Sequence, residues 1–312
     1  MKRTTLGNTD LALSPIGCGC SQIASLSTRY APAEVHAMLM AAVERGVNLF
    51  DTADIYGQGD SERVLGRLFR DRRDKVVFCT KAGLTLNSSQ TLIRLVKPVV
   101  NPLLRRWKRV RRGALAVRKS SERNCFDPGY IRGRVEKSLR RLRTDYLDLF
   151  LLHSPPETVI RESDELFEML DGLVAGGHIR YYGVSCDTVQ QALICLQREN
   201  IACLQVPLNM METEMQEELL PKAKSRGVGI VAREALAGGA ILSYPPLLQL
   251  CRDNPARTPA QTALRYLLQL EGVDLVLAGM SCRRHLQENI QALDSPPLSA
   301  AEIGLLQPGG AV

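Results

Sequence analysis

Short apolar runs alternate with amphipathic helical segments along most of this 312-residue chain, and that alternation restricts its possible folds more than any other feature. Residues 47–50, 75–81, 146–153, 179–185, 229–233 and 273–278 have the length and composition of buried strands. Between them lie helical faces. Val35, Met38, Leu39, Ala42 and Val43 form one within 32–45, and Ile131, Val135, Ser138, Leu139 and Leu142 another within 129–143. Residues 163–176 supply a further helix, and 14–20 read as the first strand of the series. Strand and helix in alternation predict a parallel sheet covered by helices. The length suits one barrel of such units, which needs about 250 residues. No Pro/Ser/Gly-rich linker divides the chain, so a single domain over 1–312 is expected.

Three of the runs end in chemically distinct polar groups. The run 47–50 delivers Asp51, with Tyr56 five residues further on in the Gly57 turn; 75–81 ends in Lys81 and 146–153 in His153. Each alone has a plain structural explanation: an ion pair at a strand end, a loop aromatic, a capped histidine. Together they form a proton-transfer set. A tyrosine, ordinarily with a pKa of about 10, is a weak acid near neutrality, and an adjacent ammonium favours its phenolate. Lys81 can play that part, Asp51 can hold the lysine charged, and His153 can hydrogen-bond a substrate oxygen. With no strong nucleophile and no metal cage in the pattern, such a donor suits carbonyl reduction, the hydride coming from a bound cofactor.

The order Asp51, Tyr56, Lys81, His153, set in Phe50-Asp51-Thr52-Ala53-Asp54-Ile55-Tyr56-Gly57, Thr80-Lys81 and Leu151-Leu152-His153, resembles the catalytic tetrad of the aldo-keto reductase superfamily. The likeness runs from about residue 5 to 293 with one long interruption. It implies an α/β fold, a (β/α)8 TIM barrel, binding NADPH, or NADH, without a Rossmann domain. It also implies an NAD(P)H-dependent oxidoreductase that interconverts an aldehyde or ketone and its alcohol. Tyr56 is then the general acid, Lys81 and Asp51 its tuning pair, and His153 the group that orients the carbonyl. The alternatives are a cofactor-binding regulatory barrel, or an isomerase or lyase using the same groups.

The resemblance extends to a cofactor site. It implies a nicotinamide rim at Gly19 and Cys20, and carboxamide ligands at Ser185, Cys186 and Gln205. The family commonly has Asn where this chain has Cys186, a poor hydrogen-bonding residue, so that contact is weakened or passes to the backbone. Many members place an aromatic where Arg233 stands; a guanidinium can stack as well. Its positive charge beside the ring would disfavour the oxidised cofactor, making reduction the expected direction. Leu236 and Gly238, in a small-residue turn, resemble the pyrophosphate site. Gly279, Met280, Ser281, Arg283, His285 and Asn289 resemble the adenosine site, with Asn289 reading adenine. The usual positions for a 2′-phosphate carry Gly279 and His285, with Arg283 and Arg284 adjacent; NADPH is the expected cofactor and NADH the alternative.

The interruption, 82–126, is the most basic part of the chain. It holds eleven Lys or Arg against the single acid Glu122, which exceeds the formal +7 of the whole protein and leaves the remainder net acidic. Within 94–119 apolar positions thread through the charges, with Pro98 and Pro102 breaking any single helix. Three readings stay open: a lid over the catalytic mouth, a docking segment for an acidic partner or anionic surface, and a solvated excursion. Nucleic acid is not expected, since aromatic residues scarcely interleave the charges. The expected partner is a small-molecule carbonyl or alcohol.

Residues 2–13 suggest a small hairpin around Gly7-Asn8, with a plain extended arm as the alternative. The tail after Leu293, short and rich in Pro and Gly, is expected to offer little to a substrate pocket. Nine cysteines, an odd and scattered number, read as reduced thiols; Cys18 and Cys20 lack zinc-knuckle spacing, and no metal is expected. No run of about 18 apolar residues and no signal-like N-terminus is evident, so a cytoplasmic protein without a transmembrane segment is expected.

Overall fold

A computed structural model describes residues 1–23, 30–86 and 122–307. The readings that concern 87–121, including the lid and the acidic partner at 94–119, lie outside the described residues. Among the described residues twelve strands are formed, β1 Thr4–Thr5, β2 Ala12–Leu13, β3 Ile16–Gly19, β4 Leu49–Asp51, β5 Val77–Ala82, β6 Leu84–Leu86, β7 Glu122–Asn124, β8 Leu147–His153, β9 Ile179–Ser185, β10 Cys203–Pro207, β11 Gly229–Arg233 and β12 Leu275–Gly279. Eight of them close a parallel barrel in the order β10-β11-β12-β3-β4-β5-β8-β9, the (β/α)8 architecture. The expected strands recur within a residue or two of their predicted bounds. β8 is buried from Leu147 to Leu152, as a strand covered on both faces must be.

The chain forms two units. One comprises Met1–Gly17, Gly183–Ala278 and Arg284–Val312. Here β1 and β2 pair antiparallel, Thr4 opposite Leu13 and Thr5 opposite Ala12, which is the expected hairpin. Asp274 anchors it: its Oδ2 accepts from the backbone N–H of Gly7 at 3.1 Å and of Ile230 at 2.9 Å. Gly7 needs its lack of a side chain, because a Cβ there would stand 2.4 Å from the Gly227 carbonyl oxygen at a φ of +48°. The C-terminal tail carries an element that the sequence reading did not name. Residues Ala300–Leu306 form a helix, with Ser299 and Glu302 making reciprocal capping bonds. The buried Arg257 secures it, donating to Glu302 at 2.9 Å and to the Pro296 carbonyl at 3.1 Å.

The other unit comprises Cys18–Tyr182 and Gly279–Arg283. Its strands β4, β5 and β8 run parallel, with Asp51 opposite Cys79 and Lys81 opposite Leu151. Asp148 near the start of β8 accepts from Arg73 at 2.6 Å, from the Phe78 N–H at 2.9 Å and from Arg180 at 3.0 Å. Arg73 also lies over the Tyr146 ring at 4.1 Å, so this buried carboxylate is held by charge on several sides. The interruption opens and closes on a feature the sequence did not announce: β6 and β7 pair antiparallel, Leu84 opposite Asn124 and Leu86 opposite Glu122. At its foot the Cys125 N–H donates to the Gly83 carbonyl at 2.8 Å. The helix Pro128–Leu142 follows directly, capped by the Asp127 side chain, which accepts from the Tyr130 N–H at 2.8 Å.

Candidate active site

Asp51, Lys81 and His153 end or nearly end β4, β5 and β8, and Tyr56 lies on the loop after β4, so all four belong to one unit. Lys81 is 1% exposed and Asp51 5% exposed. A buried ammonium persists only when paired, and Lys81 Nζ donates to Asp51 Oδ1 at 2.5 Å. Burial works against the lysine charge. The Asp51 carboxylate, with Tyr56 and Cys79 behind it, outweighs burial and holds Lys81 above the ordinary lysine range. Its nitrogen lies 5.5 Å from the Tyr56 ring centroid. The His153 ring stands edge-on to Tyr56, with centroids 6.0 Å apart and planes at 85°. The expected four groups are therefore together, with the ammonium beneath the phenol ring and the imidazole beside it.

The Tyr56 loop is tightly wound. Ala53 and Ile55 carbonyls accept from Tyr56 and Gln58 at 3.1 and 3.0 Å, and the Tyr56 carbonyl accepts from Gly59 at 3.1 Å. Gly57, Gln58 and Gly59 have φ of 59°, 62° and 84°. Gln58, an ordinary L-residue in the left-handed region, costs about 1 kcal/mol or more and persists because its neighbours fix it. The loop is bonded to β5 at its start: Thr52 N–H donates to Cys79 at 2.8 Å and Asp54 N–H to Lys81 at 3.0 Å.

Sequence reasoning passed over two buried acids flanking Tyr56. Asp54 bonds the Arg134 guanidinium, and Glu62 accepts from Arg141 at 2.5 Å and from Thr80 at 2.7 Å. Burial pushes the Asp54 carboxyl up to about 6; Arg134 and Arg141 oppose the rise and Glu62 adds to it. Arg134 is also raised, since Asp54 outweighs its own burial. The bridge favours both charges, but the carboxylate loses more water than the partly exposed arginine. The available signal was two acids at otherwise apolar positions beside the motif, and two arginines seven apart on one helix.

Of the predicted cofactor residues in this unit, Cys20 is buried with its Sγ 3.9 Å from that of Cys18, Met280 is buried and Gly279 exposed at the end of β12. In the other unit Ser185 and Gln205 are buried at neighbouring strands, Ser185 Oγ 3.5 Å from Gln205 Oε1. Cys186 turns its thiol to Cys195, with sulfurs 3.7 Å apart, while its N–H donates to the Gln205 carbonyl at 2.9 Å. Arg233 donates to the Cys186 carbonyl at 3.0 Å and bridges both Asp187 and Glu234. Two carboxylates thus enclose one guanidinium, and the charge argument for a reductive direction falls away. Leu236 and Gly238 lie in the turn after β11, and Asn289 is buried in the helix Arg283–Asp294 that begins with exposed Arg283 and half-buried His285. No described atom stands within 4 Å of a Cβ built at Gly238, Gly239 or Gly279, so backbone there is open to close approach by a ligand. Among the described residues no group of His, Cys, Asp and Glu could hold a metal, and no helix is long and apolar enough to cross a membrane.

The Aldo/keto reductase family profile matches residues 15–308, and the chain belongs to that family. It is accordingly an NAD(P)H-dependent oxidoreductase. Uncharacterized oxidoreductase YqkF of Bacillus subtilis (strain 168) is 29% identical, the match covering 98% of this chain and 96% of that protein. Among solved structures, aldo-keto reductase AKR11C1 from Bacillus halodurans (holo form) superposes with a TM-score of 0.78 at 27% identity, covering 98% of this chain and 95% of that one. An aldo-keto reductase from Klebsiella pneumoniae in complex with NADPH gives 0.73 at 25% identity, covering 99% and 97%.

Proposed function

We propose that this protein reduces small-molecule aldehydes or ketones with NADPH, NADH being the alternative, and that Tyr56 donates the proton. One observation carries the reading: a buried, carboxylate-held ammonium lies under the Tyr56 ring with His153 at its edge. Lys81 favours the phenolate and so acidifies Tyr56, Asp51 keeps Lys81 charged and fixed, and His153 orients the carbonyl oxygen toward the phenol. NADPH, when bound, supplies the hydride. Ser185 and Gln205 hold the carboxamide, and Gly19, Cys20, Cys186 and Arg233 shape the nicotinamide rim. Leu236 and Gly238 flank the pyrophosphate, and Gly279, Met280, Ser281, Arg283, His285 and Asn289 take the adenosine end. The NADPH named in the Klebsiella pneumoniae complex favours the phosphorylated cofactor. Scattered, reduced thiols suit a cytoplasmic setting.

The test is a cofactor-consumption screen across sugars, aliphatic and aromatic carbonyls and anionic ketones. Turnover with the native chain, and a loss on the order of 10²–10⁴-fold in Tyr56→Phe with cofactor affinity kept, is the expected result. Tight cofactor binding with no carbonyl consumed by any variant selects the regulatory reading instead.

A further inference from the structure

Arg134 and Arg141 lie seven residues apart on the helix Pro128–Leu142, two turns along one face and about 10 Å apart on its axis. They reach the two acids that bracket the Tyr56 loop, Arg134 to Asp54 and Arg141 to Glu62. Each acid is also tied to β5, the strand of Lys81. The Asp54 N–H donates to the Lys81 carbonyl at 3.0 Å, and Glu62 accepts from Thr80 at 2.7 Å. Between them the chain runs through three left-handed residues, a conformation that does not hold itself. Gly59 passes beneath the Arg141 side chain, where a Cβ would stand 2.7 Å from Cδ.

The two anchors differ. Glu62 has two side-chain donors, whereas Asp54 Oδ1 is buried without a hydrogen-bond partner among the described residues, so Arg134 holds that carboxylate through Oδ2. The charged and titratable groups facing Asp54 are Arg134, Arg141 and Tyr130 of the helix, and Glu62 of the helix Asp60–Leu68. We propose that Asp54 and Arg134 are positioning residues: their bridge clamps the loop so that the Tyr56 hydroxyl stays in register with Lys81 and His153. This deepens the function proposed above and rests on it. It also makes the clamp sensitive to acid, because protonating Asp54 discharges the carboxylate that Arg134 holds.

The experiment compares the native chain with Asp54→Asn, Arg134→Met, Arg134→Lys and the Asp54→Asn/Arg134→Met double variant. Amide hydrogen exchange is read at Tyr56, Gln58 and Gly59, whose N–H groups close the loop. Exchange there should quicken by about ten-fold or more in Asp54→Asn and Arg134→Met, with barrel amides unchanged. The kcat for a carbonyl should fall roughly ten- to hundred-fold while the NADPH dissociation constant stays within about two-fold. Lysine at 134 should restore most of kcat, and the double variant should be no worse than the worse single one. The native kcat should decline on the acid side near pH 6, a limb missing from Asp54→Asn. Should Asp54→Asn fail to fold, Arg134→Met decides, since its side chain is partly exposed. Unchanged loop exchange, or a kcat loss that appears only with loss of cofactor binding, overturns the clamp. If the native chain consumes no carbonyl, the proposed function fails, and loop exchange still decides the clamp.

Discussion

Lys81 and Asp51 illustrate how costly it is to keep charge inside a barrel. Replacing Lys81 by Met leaves Asp51 buried without its cation, and the expected loss is about 3–5 kcal/mol of stability. The Asp51→Asn/Lys81→Met double variant should regain part of that, as measured by denaturant unfolding. Asp54 makes stability depend on pH. Its folded carboxyl is raised from 3.8 to about 6, so the folded chain binds the proton more tightly than the unfolded one. The stability it contributes is complete below pH 3.8 and is lost as pH rises through about 6. The full loss is about 3 kcal/mol, of which about 2 kcal/mol falls between pH 4.5 and 7, and Asp54→Asn should flatten that difference in unfolding free energy.

At the scale of elements, the turns depend on two kinds of glycine. A Cβ on Gly83 would stand 2.1 Å from the Phe126 ring at a φ of +125°, so Gly83→Ala should lower stability by about 2 kcal/mol or more in thermal unfolding. Gly238 has open space and only its φ of +63° to object, so Gly238→Ala should cost about 1 kcal/mol. The strands and the tetrad were legible because their signals are local: an apolar run, a polar end, a helical period. The Asp54–Arg134 and Glu62–Arg141 pairs were not, since each joins residues about 80 positions apart and nothing local names a partner. Arg233, paired with two carboxylates, and Cys186, facing Cys195, likewise gave no sign of these contacts. The β6–β7 ribbon was hidden by short strands within a basic stretch. The terminal helix had a readable sign in Ser299 and Glu302, overshadowed by the Pro and Gly around it.

For the molecule as a whole, the barrel places Tyr56, the Lys81 ammonium and the His153 imidazole on strand ends and their loops, where sequence can vary without unmaking the sheet. The antiparallel register that sets Leu86 opposite Glu122 has a practical result. The two points where residues 87–121 leave and rejoin the body stand about 5 Å apart, one strand spacing. Joining them by a two-residue Asn-Gly turn should give a shortened protein that melts within a few degrees of the parent, with its circular dichroism intact. A boundary of that kind lets evolution exchange, lengthen or discard the inserted segment, as a tool is changed on a fixed handle.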